Sequence, residues 1–327
     1  MSYADKIFVK MCTDIIDNGT DTQGQKVRPI WEDGTKAYTI KQFGVCNKYD
    51  LRQEFPALTL RPTGLKSCMD EILWIWQKKS NNIHDLKTHI WDEWADEEGS
   101  IKKAYGYQLK QLYAWNDVSE EGLKKAFPQA KFFITETETN FSEYRNGELF
   151  QTYAVKKQTN KYWHMDQVNK VIYDLINTPF SRRIMTNIYN FADLTEMALY
   201  PCAYSMTFNV TQDKQTGKLI LNTVLNQRSN DVLAANNWNV AQYAILTMMM
   251  AQICHMIPGQ FVHMIADAHI YDKHVPIIKE MLSREQFPAP IVSLNPEITN
   301  FYDFTTDDLK VENYQKNPQI KNIPIAV

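Results

Sequence analysis

Two runs of alternating apolar and polar residues occupy the second half of this 327-residue chain. They cover residues 203–210 and 218–225, and a turn-rich segment, 211–217, joins them. A period of two is typical of strands that bury one face, so the runs predict a β-hairpin. Short apolar runs at 260–265 and 291–294 predict further strands. Any fold of this chain therefore contains a sheet.

Apolar residues at helical spacing predict four helices, which cover residues 3–16, 65–79, 165–177 and 239–257. The first is expected to end at Asn18-Gly19 and the last at Pro258-Gly259. Glycine and proline punctuate residues 20–62, which predicts loops and short strands there. Because helices and strands are mixed without regular βαβ alternation, the predicted class is α+β.

Residues 110–162 are polar and lack a clear period, and they include the acidic run 135–139. We interpret them as an insertion or a small subdomain. No internal repeat and no low-complexity tract interrupts the rest of the chain.

Composition excludes several classes of protein. The net charge of −3 gives no global basic surface, so nucleic-acid binding is not expected. Polar residues interrupt the apolar stretch 243–257, which predicts a buried helix and no membrane span. The five cysteines form no CxxC pair or metal-binding spacing, and the N-terminus has no apolar signal core. These features predict a cytoplasmic protein without a metal.

Three residue types near the hairpin carry chemistry. Cys202 follows Pro201 at the entrance of the first strand, Arg228 follows the second strand, and Asn239 opens the apolar helix. Cysteine supplies a nucleophile, arginine binds an anion, and an amide hydrogen-bonds to both a donor and an acceptor. Nearby arginines are also expected to lower the pKa of the thiol. The combination suggests covalent catalysis on a phosphorylated heterocycle.

Other candidates are ambiguous from the residues alone. Glu71 lies inside an apolar helix, where it is either partly buried and able to act as a general acid or base, or a surface charge. Arg182-Arg183 has the pattern of a solvated pair. His269 and Tyr271 are better suited to hydrogen bonding a sugar hydroxyl than to binding a metal.

Together, several blocks in this order resemble the thymidylate synthase family over nearly the whole chain, apart from about 110–162. The matching blocks are Asp70-Glu71-Ile72-Leu73-Trp74, Ile90-Trp91-Asp92-Glu93-Trp94, Tyr105-Gly106, Ser181-Arg182-Arg183-Ile184, Pro201-Cys202, Gln227-Arg228-Ser229, Asp231, Asn239, Asp267, His269-Ile270-Tyr271 and Ile325-Ala326-Val327.

The resemblance implies a single domain, 1–327, with a variable insertion at about 110–162. It implies an α+β fold with a large mixed sheet covered by helices, and two subunits that pair sheet to sheet as a homodimer. The implied reaction converts dUMP to dTMP with 5,10-methylenetetrahydrofolate as donor of one carbon and of hydride. No metal is implied.

The resemblance also assigns roles. Cys202 would attack C6 of uracil, Glu71 would manage protons through ordered water, and Tyr105 would sit near the proton leaving C5. The implied dUMP contacts are Arg28, Gln227, Arg228, Ser229, Asn239, His269 and Tyr271, with Arg182 and Arg183 from the partner subunit. The implied folate contacts are Arg61, Trp91, Asp231 and Val327, and Asp231 is also counted with the catalytic residues.

Asn239 has a role that its chemistry explains. Uracil presents an N3–H donor and an O4 acceptor, and an amide offers the complementary pair, whereas cytosine reverses both groups. Relatives that hydroxymethylate cytidylate carry aspartate at this position, so the asparagine favours a uracil substrate.

The chain departs from the usual family pattern near the base. Ala203 stands where the family commonly has histidine, and residues 234–239 replace the usual Leu-Gly-x-Pro-Phe-Asn run with Ala-Ala-Asn-Asn-Trp-Asn. Ala266 replaces a glycine. The altered run leaves one alternative, a nucleotide 5-hydroxymethylase acting on dUMP, dCMP or CMP, against which the retained Asn239 and Trp91 argue. A second alternative, of a different class, is a nucleotide- or RNA-binding protein that keeps the pocket without catalysis.

Overall fold

A computed structural model describes residues 1–128, 130–135, 138–145, 148–152, 156–157 and 163–326. Its α-helices are α1 (Tyr3–Asn18), α2 (Leu65–Ile72), α3 (Gly106–Leu109), α4 (Glu120–Ala126), α5 (Gln167–Asn177), α6 (Asn236–Ile253) and α7 (Val275–Leu282). Its strands are β1 (Thr20–Asp21), β2 (Thr39–Asp50), β3 (Tyr113–Trp115), β4 (Ala130–Thr135), β5 (Glu138–Arg145), β6 (Glu148–Thr152), β7 (Lys156–Lys157), β8 (Trp163–Met165), β9 (Met185–Asn187), β10 (Ala203–Gln212), β11 (Leu219–Gln227), β12 (Asn230–Asp231), β13 (Ile257–Tyr271), β14 (Ile291–Leu294) and β15 (Leu309–Glu312).

The chain folds into two compact units. Unit 1 contains residues 1–72, 202–205 and 220–327, and unit 2 contains residues 73–201 and 206–219.

Unit 1 is built on a mixed sheet. Strands β1, β2, β13 and β11 are hydrogen-bonded neighbours in that order. β2 runs antiparallel to β13, which places Cys46 opposite Met264, and β11 runs parallel to β13, which places Val224 opposite Val262. Mixed pairing together with helices confirms the predicted α+β class.

Helix α1 covers one face of this sheet. Its buried side chains, among them Phe8, Cys12 and Ile15, pack in one cluster with Ile265 and Ile270 of β13. Each such side chain contributes about 1.5–3 kcal/mol when it leaves water. Alternate residues of β2 and β13 are more exposed, so the pleat gives the sheet one buried face and one open face.

Unit 2 contains shorter elements. Helix α5 begins after Asp166, whose side chain accepts a hydrogen bond from the Asn169 backbone N–H. The ammonium of Lys79 lies 2.7 Å from the Asp166 carboxylate, and both side chains are buried. β3, β8 and β7 form one small sheet, and β4, β5 and β6 form another.

Three predicted boundaries are wrong. The segment 20–62 contains a twelve-residue strand, β2, because its pairing with the distant β13 outweighs the local turn signals. Gly44 continues this strand with φ of 74°, a conformation that favours glycine. The helix predicted at 65–79 is α-helical only to Ile72, and a π-helix, Leu73–Gln77, follows it.

The third error concerns the end of the apolar helix. α6 ends at Ile253, and Pro258-Gly259 lies inside β13. His255 adopts φ of 54°, and the Met256 N–H returns to the Ala251 carbonyl at 2.8 Å. This left-handed turn ends the helix before the proline is reached.

Residues 110–162, predicted to be irregular, contain α4 and the strands β3 to β7 where they are described. Glu136 and Thr137 of the acidic run lie outside the described residues. Among the described residues, no helix is long and apolar enough to cross a membrane.

Candidate active site

Cys202 lies at the start of β10, beside the residue that follows β11. The Arg228 N–H donates to the Cys202 carbonyl at 2.9 Å, and Nη2 of the same arginine lies 3.5 Å from the thiol Sγ. The backbone bond fixes the two residues side by side, and the guanidinium then reaches the sulfur. The predicted pairing of a thiol with an arginine is therefore present.

The acidity of this thiol differs from the prediction that nearby arginines lower its pKa. Burial raises the pKa of Cys202, and the charges of Arg228 and Arg28 lower it by less than burial raises it. The arginines act in the expected direction, but desolvation of the thiolate is the larger effect.

A relay of side chains orients the Asn239 amide. Gln227 Nε2 donates to the Ser229 carbonyl at 3.0 Å and to Asn239 Oδ1 at 3.1 Å. A backbone carbonyl can only accept, so the other end of Gln227, Oε1, faces His263 Nε2 at 2.7 Å. Asn239 Nδ2 in turn donates to Gln242 Oε1 at 3.2 Å. These hydrogen bonds determine the orientation of the Asn239 amide: its oxygen faces Gln227 and its nitrogen faces Gln242.

His263 serves this relay as a neutral donor. It is fully buried, and burial lowers its pKa to about 3, so the ring carries no charge at neutral pH. Neither His263 nor Gln242 was predicted as a site residue. The position of Gln242 three residues after Asn239 on α6 was the one available signal, because residues i and i+3 share a helix face.

His269 and Tyr271 lie near each other on β13, as predicted. Their rings make an edge contact with centroids 5.1 Å apart, and His269 Nδ1 lies 2.9 Å from Asp267 Oδ1. Burial, followed by the charge of Asp231, raises the pKa of Tyr271 to about 12, while Arg28 opposes the shift. The phenol is therefore a neutral hydrogen-bonding group. The Arg28 side chain is exposed.

Asp231 is held by the backbone and by a histidine. Its Oδ1 accepts the N–H groups of Leu233 and Ala234, each at 3.0 Å, and His274 Nδ1 lies 3.5 Å away. His274 Nε2 lies 2.8 Å from the Pro324 carbonyl. His274, which was not predicted, therefore connects Asp231 to the C-terminal segment.

The pKa values of both groups are shifted towards the charged pair. Burial acts to raise the pKa of Asp231, but the hydrogen bond and charge of His274 and the Ala234 N–H leave it below its ordinary value. Burial acts to lower the pKa of His274, but Asp231 and the Pro324 carbonyl leave it raised.

We expect His274→Gln to destabilise the protein most between pH 3.8 and 6.5, the ordinary pKa values of the two groups. The Asp231 contribution is lost as pH falls through its lowered pKa, and the His274 contribution is lost as pH rises through its raised pKa. The expected loss is about 1–2 kcal/mol, measured by thermal unfolding across pH. His84→Gln is the control because His84 is exposed. A difference between variant and wild type that does not vary with pH would contradict this account.

Glu71 is buried, which decides between its two predicted interpretations. Only 5% of the residue is exposed. The indole Nε1 of Trp238, in the first turn of α6, lies 2.6 Å from Glu71 Oε2. Burial first, and then the charge of Glu71, raises the pKa of the neighbouring Cys68 thiol. Glu71 is therefore a buried carboxyl group in contact with an indole N–H.

Arg61 is also mostly buried. Burial lowers its pKa, and the charge of Asp231 opposes this shift. Its Nε and Nη1 have no hydrogen-bond partner among the described residues. A buried guanidinium with unsatisfied donors suits an anionic ligand.

The remaining predicted residues lie in unit 2. The rings of Trp91 and Tyr105 make an edge contact with centroids 4.8 Å apart, and both residues are buried. Tyr105 has φ of 45°, a strained value for a residue with a side chain. Arg182 and Arg183 are exposed in a turn before β9.

Eleven of the predicted site residues thus lie in unit 1. They are Arg28, Arg61, Glu71, Cys202, Gln227, Arg228, Ser229, Asp231, Asn239, His269 and Tyr271. Val327 lies outside the described residues. Among the described residues, no three His, Cys, Asp or Glu side chains group as metal ligands.

A thiol beside an arginine, an oriented amide and a buried carboxylate suit covalent chemistry on a nucleotide base. Comparison with known proteins agrees. A family model described as thymidylate synthase matches residues 6–327. Thymidylate synthase 1 of Bacillus subtilis strain 168 and the thymidylate synthase of Bacillus phage phi3T are each 34% identical to this chain over 324 residues, 98% of either sequence. A solved structure of thermostable thymidylate synthase A from Bacillus subtilis matches with a TM-score of 0.78 and 34% identity over 100% of both chains.

The chain belongs to the thymidylate synthase family. It is a methyltransferase, and the reaction of its family is the conversion of dUMP to dTMP. None of these three relatives is named a hydroxymethylase, so that alternative has no support from them.

Proposed function

We propose that this chain methylates dUMP through a covalent bond between Cys202 and C6 of the base, with 5,10-methylenetetrahydrofolate as co-substrate. The observation that carries the proposal is the contact of Arg228 Nη2 with the Cys202 thiol, 3.5 Å apart. The half-buried thiol is protonated at rest because desolvation raises its pKa. Arg228 then stabilises negative charge on sulfur when the thiolate forms and when it leaves.

The covalent step activates the base. Addition of sulfur to C6 places the electron pair of the C5–C6 bond on C5 and O4, and C5 attacks the methylene carbon of the folate. Loss of the C5 proton eliminates tetrahydrofolate and leaves an exocyclic methylene. Hydride from the tetrahydrofolate reduces that methylene to methyl, and sulfur leaves as dTMP and dihydrofolate form.

Asn239 would select the base. Its amide is fixed through Gln227 and His263, so that it offers an acceptor to N3–H and a donor to O4. Glu71 would exchange protons with O4 through ordered water, and Tyr105 would act near the proton that leaves C5.

The substrate's sugar and phosphate would be held by the polar residues of unit 1. Arg28, Arg228 and Ser229 suit the phosphate, and His269 and Tyr271 suit the 3′-hydroxyl. For the folate, Arg61 offers unsatisfied buried donors to the glutamate tail. Asp231, Trp91 and Val327 complete the proposed folate contacts.

Release of tritium from C5 of labelled dUMP tests the proposal. The purified protein should release the label only when methylenetetrahydrofolate is present, and dihydrofolate should form in step with that release. Release without dihydrofolate formation would indicate a hydroxymethylated product. No release at all would overturn the proposed reaction.

We also propose that the subunits pair through the open face of the sheet. On that face Cys46 and Met264 are exposed opposite each other, and Val224 and Val262 are half-exposed opposite each other. Apolar side chains exposed on a sheet face favour a covering partner. Dimerisation also gives a role to Arg182 and Arg183, which are exposed and would complete the phosphate site of the partner subunit.

Subunit mixing tests the donation of arginine. We expect Cys202→Ser and Arg182→Ala to be inactive or weak alone, and an equal mixture after exchange to regain about one quarter of wild-type activity. Half of the dimers are then mixed, and each has one complete site. Cys202→Ser mixed with Arg28→Ala is the control, because Arg28 would act within its own chain. Equal recovery in both mixtures, or none in either, would contradict the assignment.

Two further features belong to the proposal. The five cysteines are all free, which suits a reducing compartment such as the cytoplasm. Residues 1–327 would form one domain of this family, with the region about 110–162 as a variable insertion.

A further inference from the structure

The first turn of α6 brings Trp238 onto Glu71 of α2. The indole Nε1 lies 2.6 Å from Glu71 Oε2. An indole nitrogen can only donate, so the direction of this bond is unambiguous. Glu71 is buried, and a hydrogen bond to a buried charged group is stronger than one between neutral groups.

The indole ring lies close to the residue that precedes α2. A side-chain carbon placed on Gly64, just before α2, would lie 3.7 Å from Cζ3 of Trp238. The ring therefore lies against the beginning of the same helix that carries Glu71. Trp238 also directly precedes Asn239, so one helical turn presents both the group that reads the base and the group that contacts the carboxylate.

We propose that Trp238 is a positioning residue, whose indole N–H holds the Glu71 carboxylate in one orientation and in its ionised form. The inference rests on the proposed role of Glu71 in proton transfer. Phenylalanine, which has no N–H, retains an aromatic ring of similar position but removes the donor. The tryptophan thus tunes the proton-transfer step without contacting the reacting carbon.

Other ionisable groups surround this pair and define what a pH profile reports. Those on α2 and on the elements packed against it are Lys66, Cys68, Asp70, Tyr243, Asp307 and Asp308. Lys66 pairs with Asp307 at 3.3 Å, and burial raises the pKa of Cys68. In a plot of kcat against pH, the part of the curve that reports the ionisation of Glu71 is therefore identified with Glu71→Gln, because this variant should lack it. We call this part the Glu71 limb.

The test compares Trp238→Phe with wild type and with Glu71→Gln. We expect the limb of the kcat profile that Glu71→Gln abolishes to move up by about one pH unit in Trp238→Phe, because the ionised carboxylate loses a donor. At neutral pH we expect kcat to fall about tenfold and KM for dUMP to change less than about twofold. In the Glu71→Gln background, Trp238→Phe should change kcat by less than about threefold.

The outcomes separate the two proposals. Wild type without tritium release from dUMP would overturn the proposed function. Active wild type, with an unmoved limb in Trp238→Phe, would overturn only the role of Trp238. Trp115→Phe is the matched control, since it removes an indole N–H from the Met165 carbonyl, 3.0 Å away, and should leave the limb unchanged.

A second measurement leaves Trp238 unaltered, so it tests the proposal even if Trp238→Phe does not fold. In protein labelled with 15N-tryptophan, one indole N–H signal should shift with pH along the same limb. That signal should move in Glu71→Gln while those of the other tryptophans, eight in all with Trp238, change little. If the indole N–H signals of Glu71→Gln and wild type were identical, the proposal would be overturned.

Discussion

Cys202→Ser is expected to abolish turnover of dUMP, with a loss of at least about 10³-fold in kcat. The hydroxyl is a far weaker nucleophile, and Arg228, 3.5 Å from the sulfur, stabilises a thiolate that the variant cannot form. A second readout is the covalent adduct with 5-fluoro-dUMP and methylenetetrahydrofolate, followed by intact-protein mass. Wild type should gain the mass of both ligands, and Cys202→Ser should gain neither.

A matched cysteine variant separates chemistry from packing. Cys254 is also half-exposed, and burial raises its pKa to about 12, yet it lies at the end of α6 outside the proposed site. Cys254→Ser should keep the adduct and most of the activity. Full turnover by Cys202→Ser, or adduct formation that is lost equally in both variants, would contradict the assignment of Cys202.

Asn239→Asp is expected to lower kcat/KM for dUMP by about 10²-fold or more and to improve dCMP as a substrate. The relay through Gln227 fixes which end of the Asn239 amide is the acceptor, and an ionised carboxylate offers no donor to O4 of uracil. Cytosine presents an amino donor at C4 instead, which a carboxylate accepts. The measurement is kcat/KM for each nucleotide with the product identified by mass.

Asn313→Asp is the control for added charge. Asn313 is exposed and has φ of 57°, a conformation that aspartate also tolerates. It should leave the preference for dUMP unchanged. If Asn239→Asp retained the wild-type ratio of dUMP to dCMP, the base would be selected by other residues, and the relay would be structural.

Much of the fold could be predicted because its signals are local. Alternation identified β10 and β11, and the Asn18-Gly19 pair marked the end of α1. β2 could not be predicted, because its residues form a long strand only when β13, about two hundred positions away, pairs with them. The end of α6 was also predicted wrongly. The helix ends before His255, which adopts a left-handed conformation, whereas the sequence signal used was Pro258-Gly259 further along the chain.

The site divides in the same way. The identities of Cys202, Arg228 and Asn239, and their order along the chain, were determined by the sequence alone, and they suggested covalent catalysis on a phosphorylated heterocycle. Only the tertiary structure decided that burial outweighs the arginines at the thiol, that His263 and Gln227 orient the Asn239 amide, and that Trp238 contacts Glu71. The physical reason is that residue types set which bonds a group can make. Desolvation and hydrogen-bond direction depend on neighbours that are distant in the chain and come close only after folding.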